Sequence, residues 1–197
     1  MAYTSKLTTL AKQKTAAQLQ TASRDSYRWL VKKINELGNP TGIASVIARE
    51  DRSNRFTNGG LYYFYYDPKT KADLPYYDRF PLVLVLEVHS DSFLGLNLHY
   101  LPLRERIALL DNLMEYADLD RNKDILRMRV SYEILNASKR FKQFKPCLKK
   151  YLFGHVQSRI LAVQPNEWDI AAFLPIQQFR KATTSEVWQE SLEEIRK

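Results

Sequence analysis

The sequence predicts an α+β fold, a small antiparallel sheet with helices packed around it, and three observations predict it. In the segment 59–101 the runs 61–66, 82–88 and 93–101 are aromatic or aliphatic and are separated by Gly, Pro and Asp. Runs of that kind between turn formers read as strands. The run LVLVLEV at 82–88 shows no polar alternation over its first five residues, which implies a strand covered on both faces. Helical spacing of apolar residues occurs before and after this segment rather than between its strands, so the pattern is not a βαβ alternation. Close strands with Gly and Pro corners are further expected to close into a small, SH3-like barrel.

Taken in order, residues 1–24 form an N-terminal arm rich in Thr, Ala, Gln and Lys. It has too few large aliphatics to bury much by itself, and reads either as an arm ordered against a partner or as a mobile tail. A single α+β domain is expected over 25–183 and a separate C-terminal helix over 184–197. Tyr27, Leu30, Val31, Ile34 and Leu37 make one apolar stripe, so a helix runs from 26 to 37, started by Ser23 or Asp25 and stopped at Gly38 before Pro40. Residues 42–48 read as a short strand. A helix is expected from Pro102 to about Ala117 with Ile107, Leu110 and Met114 inward, and another over 125–136. Residues 158–163 read as a strand, and Asn166 as the cap of a short helix. Ser185 reads as the cap of the last helix, and both terminal segments as arms toward neighbouring subunits.

Net charge is +8, with an apolar fraction of 45% that supports a core. No apolar run is long enough to span a membrane, and the first residues lack the apolar centre of a signal peptide. One cysteine, Cys147, allows no disulfide within the chain and fits a reducing compartment. Lysines around it would lower a thiol pKa, but a lone cysteine reads first as an inert one.

Catalytic patterns are missing from the sequence. His89, His99 and His155 have no metal-ligand spacing, and with a single cysteine they do not suggest zinc. The loop Asp118 to Asp124 resembles a calcium loop, but Lys123 stands where glycine is required and Arg129 where a bidentate Glu is required. Neither a phosphate-cradling glycine loop nor a nucleophile elbow occurs. Asp78 and Glu87 could serve a metal-dependent nuclease, but no Glu-x-Lys follows them. The expectation is a protein that is not an enzyme, with no cofactor and no metal.

Two sets of residues remain as candidate sites. Tyr62, Tyr63, Tyr65, Tyr66, Tyr76 and Tyr77 exceed what a small core needs, and tyrosine is favoured at interfaces because it buries area and keeps a polar tip. The same rings serve equally well as core. Lys139, Arg140, Lys142, Lys145, Lys149 and Lys150 interleave with aromatics, a pattern able to contact phosphates while rings stack on bases. Phe141, Phe144, Leu148 and Tyr151 in that stretch also have helical spacing, which makes it first a helix with its apolar side inward and its lysines solvated.

The strings YYFYYDPKTKADLPYYDRFPLVLVLE, FLGLNLHYLPLRERIALLDNL and GHVQSRILAVQPNEWDIAAFLPIQQFRK resemble small virion proteins of contractile-tailed phages. The resemblance covers roughly residues 60–180 and transfers no catalytic residue. It implies a non-catalytic structural subunit, made in the bacterial cytoplasm and carried in the virion among other virion proteins. The tail baseplate is the first expectation. The alternative is a DNA-proximal protein of the head or neck that binds or protects DNA ends through its basic face.

Overall fold

The computed structural model describes residues 24–32, 56–119, 136, 141–158, 160–164 and 167–197. The sheet grows from β3 (Leu82–Val88), the uninterrupted apolar run. On one side β3 pairs with β1 (Leu61–Tyr63), and β1 pairs with β6 (Leu161–Val163). On the other it pairs with β4 (Ser92–Asn97), which pairs with β5 (Leu148–Leu152). All four pairings are antiparallel, in the order β5-β4-β3-β1-β6. The α+β class is as the sequence predicts, but the sheet is open. The expected barrel does not close, because β5 and β6 are separate edges. A second, two-stranded ribbon joins β2 (Tyr77–Asp78) to β7 (Phe179–Arg180).

Side chains alternate across β3, and each set meets its own apolar layer. Leu82, Leu84 and Leu86 join Leu61, Tyr63 and Leu96 beneath the helices. That layer includes α1 (residues 24–32) through Leu30, and α2 (Leu103–Leu119) through Ile107, Leu110 and Leu113. It also includes α4 (Trp168–Ala172) and, through Val187, α5 (Thr184–Arg196). Val83 and Val85 face the opposite way into an aromatic layer of Phe56, Tyr62, Phe64, Tyr66, Phe93, Tyr151 and Phe153. Phe93 is stacked between Phe56, with ring centroids 4.3 Å apart, and Tyr151, at 5.1 Å. The sheet is therefore buried on both faces, as its non-alternating sequence requires.

Several local expectations shift. The basic stretch is not one helix: a single turn, α3 (Phe144–Cys147), passes directly into β5. Pairing with β4 across five residues, from Ser92 opposite Leu152 to Leu96 opposite Leu148, outweighs the helical spacing. The last helix begins two residues earlier than a Ser185 cap would place it. Thr183 caps it by accepting the Glu186 N–H, and the Thr183 N–H in turn donates to the Glu186 carboxylate at 2.7 Å, a capping box. This helix packs on the chain's own core rather than reaching away as an arm, with Val187 and Ser191 buried. In α1, Leu30 and Ser26 are buried, whereas Tyr27 and Val31 of the expected stripe are exposed. The N-terminal arm to residue 23, the strand at 42–48 and the segment 120–135 lie outside the described residues, as do Asn166, Lys139 and Arg140.

Gly95 of β4 shows how closely the two layers are set. A Cβ at this position would come within 2.4 Å of the Val83 Cγ1 and 2.9 Å of the Leu84 carbonyl oxygen. Val83 is stiff at χ1 and enclosed by the aromatic layer, so it has little room to move. Gly95→Ala is therefore expected to lower unfolding free energy by about 1–3 kcal/mol, measured by urea denaturation. An unchanged midpoint would mean that β3 and β4 are not in this register.

Candidate nucleic-acid interface

The polar centre of the molecule is buried. Asp78 leaves β2 pointing inward and accepts four hydrogen bonds. Its Oδ1 receives the Phe80 and Gln178 backbone N–H groups, both at 3.0 Å. Its Oδ2 receives the Asn97 amide at 3.3 Å and lies 2.7 Å from His99 Nδ1. Burial alone would raise the carboxyl pKa, but the His99 ring and the two N–H groups together hold it below the usual range. His99, on the 3-10 turn Leu98–Tyr100, is lowered by burial, against the pull of Asp78. An ionised Asp78 can only accept, so Nδ1 carries the hydrogen. Among the described residues the His99 Nε2 has no hydrogen-bond partner, which suits a neutral ring with a bare lone pair.

Beside this pair, Arg106 of α2 is almost wholly buried and, among the described residues, donates to backbone carbonyls. These are Leu98 and Ala172 at 3.0 Å, Leu101 at 3.3 Å and Leu174 at 3.4 Å. The guanidinium thus ties α2 to the turn before it and to the end of α4. Glu87, the other acid weighed for a nuclease, is exposed near the end of β3, away from the buried Asp78. Asp78, His99 and Arg106 are all buried and hold segments together. Among the described residues, no group of three or more His, Cys, Asp or Glu is placed to hold a metal.

The tyrosines divide between interior and surface. Tyr62, Tyr63 and Tyr66 are buried in the chain's own layers. Each also uses its hydroxyl internally: Tyr62 with Thr57, Tyr63 donating to the Ala171 carbonyl, and Tyr66 accepting the Leu152 N–H. Tyr76 is half-buried and donates to Glu190 of α5 at 2.7 Å. Tyr65 is 37% exposed, and Tyr77, like Tyr76, is half-buried.

The basic stretch divides in the same way. Lys142, Lys145 and Lys150 are exposed, and among the described residues none has an ion-pair partner. Lys150 does have Asp91 nearby: the Ser92 hydroxyl first, and Lys150 with it, lower the Asp91 carboxyl. Lys149 is turned to a different task. Its Nζ sits 4.3 Å from the Tyr100 ring centroid, a cation–π contact, and burial lowers its pKa. Cys147 is fully buried, and burial pushes its thiol up to about 12 against the opposing influence of Lys149 and Arg106. Three ammonium groups are thus presented on a turn and an edge strand fixed by the β4 ladder. Such a strip can meet phosphates, and lysines also discourage strand pairing at a sheet edge.

The signs of the buried pair set a pH dependence. A folded His99 that resists protonation lets the unfolded chain bind the extra proton below about pH 6.5. Its contribution is therefore complete above that value and is lost as pH falls toward the depressed folded pKa. Asp78, also depressed, has the same sign, but its loss begins only below about pH 4. Denaturant midpoints are expected to be level from pH 8 to 7 and to fall between pH 6.5 and 5. A level profile down to pH 5 would show that His99 is charged inside the fold.

Residues 3–191 match the family model described as phage T4 terminal DNA protecting protein. No curated protein and no solved structure matches the chain. The match agrees with the resemblance to phage proteins, and its description falls with the DNA-proximal alternative rather than the baseplate.

Proposed function

We propose that this chain, which belongs to the phage T4 terminal DNA protecting protein family, binds the ends of linear phage DNA and shields them from nucleases. The observation that carries the reading is the family match over residues 3–191. The exposed Lys142, Lys145 and Lys150 supply the chemistry, because their charges are not spent within the described residues. Phosphate neutralisation by lysines is sequence-independent, which suits a protein that must accept whatever bases stand at an end. Protection needs only occupancy: a bound terminus is closed to an exonuclease, and no bond has to be made or broken. The chain is placed in the virion beside the DNA, with other particle proteins as further partners. The net charge of +8 favours association with a polyanion.

The test is digestion of a linear duplex by an end-dependent exonuclease, with binding measured on the same duplex at low and moderate salt. The wild type is expected to slow digestion and to bind less as salt rises. A variant with Lys142→Glu, Lys145→Glu and Lys150→Glu is expected to lose protection. Its slope of log affinity against log salt should fall by about 3, one for each lysine–phosphate contact. Full protection by that variant would move the interface away from α3 and β5. A wild type without affinity for DNA at low salt would return the basic face to protein partners and favour the baseplate.

A further inference from the structure

The two-stranded ribbon carries a surface that no sequence pattern singles out. Tyr77 is paired with Arg180, and Asp78 with Phe179. Strand alternation sends Asp78 and Phe179 toward the core, and Tyr77 and Arg180 outward. The ladder continues one step: the Arg79 N–H donates to the Gln178 carbonyl at 2.9 Å. Arg79, two residues from Tyr77, therefore shares the outward face. Arg79, Gln178 and Arg180 are exposed.

The charges on this face are not compensated locally. Among the described residues neither guanidinium has a carboxylate within ion-pair distance. Asp78 is turned inward to its buried network, and Asp67 is taken by Lys71, at 2.9 and 3.0 Å. Lys71 also lies close enough to Tyr77 and Arg79 to feel both.

The ribbon is held rigidly. Asp78 grips it from within through Phe80 and Gln178. Lys181, left-handed at φ 70°, turns the chain out of β7 and aims its Nζ at the Ala72 and Leu74 carbonyls, 2.7 and 2.9 Å away. A non-glycine residue keeps that backbone only where its surroundings hold it there. The ribbon also adjoins the basic strip. The 3-10 turn Phe153–His155 after β5 exchanges bonds with Asp67 at 3.1 and 2.8 Å, and the preceding residue, Tyr66, donates its N–H to the Arg79 carbonyl at 2.9 Å.

We propose that the outward face of the ribbon is the docking surface for the terminus of a DNA duplex. The Tyr77 ring stacks on the exposed face of the last base pair, while Arg79 and Arg180 hold the flanking phosphates. This rests on the reading of the chain as an end-protecting protein and adds what that reading lacks. Lysines on phosphates cannot distinguish an end from the interior of a duplex, since both present the same backbone. What an end alone presents is an uncovered base pair, and a fixed aromatic ring between guanidiniums is suited to it.

The full chain is titrated against a short blunt duplex and against the same duplex with both ends closed by hairpin loops. The open duplex is expected to bind about tenfold tighter, the contribution of one stacked base. The combined variant Tyr77→Ala, Arg79→Gln, Arg180→Gln should lose that preference, whereas Tyr77→Phe should keep it. A 2-aminopurine placed in the terminal pair should be quenched by the wild type, and one placed centrally should not. Equal binding of open and closed duplexes by the wild type, or an undiminished preference in the combined variant, overturns the proposal while leaving DNA binding intact. Failure of the wild type to bind either duplex overturns the end-protecting reading and this proposal together.

Discussion

Four donors converge on the buried carboxylate of Asp78, and the placement of the ribbon against the main sheet depends on that convergence. Two are backbone N–H groups, of Phe80 and Gln178; the others are the Asn97 amide and the His99 ring. They bring together β2, the segment leading into β7, the end of β4 and the following 3-10 turn. A buried charge is tolerated only where its lone pairs are satisfied, and here the satisfaction itself is what orders the segments. Arg106 repeats the logic with opposite sign, gathering four carbonyls from the turn and from the end of α4. Trp188 completes the set by donating its indole N–H to the His99 carbonyl at 2.9 Å, which brings α5 to the same centre.

The proposed binding of a polyanion benefits from a scaffold that does not yield. The cations assigned to DNA in that proposal stand on edges of this framework. Lys150 is on β5, locked to β4 by its ladder, and Arg79 and Arg180 are on the ribbon, locked by Asp78. Side chains on rigid strands lose less freedom on binding than those on loops. Lys149 shows the opposite use of the same residue type, since its ammonium is committed to the Tyr100 ring and stabilises the interior.

Much of this was legible in the sequence where the signal is local. The non-alternating run at 82–88 announced a strand covered twice, and β3 is that strand. The stretch after Pro102 announced α2, with Ile107 and Leu110 inward. What failed depends on distant partners. Phe141, Phe144, Leu148 and Tyr151 have helical spacing, yet pairing with β4 draws residues 148–152 into a strand. Barrel closure would have required β5 to meet β6, and nothing in either strand encodes that. Asp78 read only as one acid of an incomplete nuclease set with Glu87, because most of its partners lie far along the chain, up to a hundred residues away. The aromatic run 61–66 read equally as core or interface, and the fold resolves it residue by residue: Tyr62, Tyr63 and Tyr66 are inward and Tyr65 outward. Tyr77, Arg79 and Arg180 form one face only because β7 returns to β2, so no spacing in the sequence could have grouped them.

Lysine acetylation footprinting of the full chain, with and without a blunt-ended duplex, tests the central claim most directly. The account predicts that DNA protects Lys142, Lys145 and Lys150 from acetylation while the exposed Lys32 and Lys197 remain as reactive as in the free protein. Protection spread evenly over all exposed lysines, or none at Lys142, Lys145 and Lys150, would contradict it.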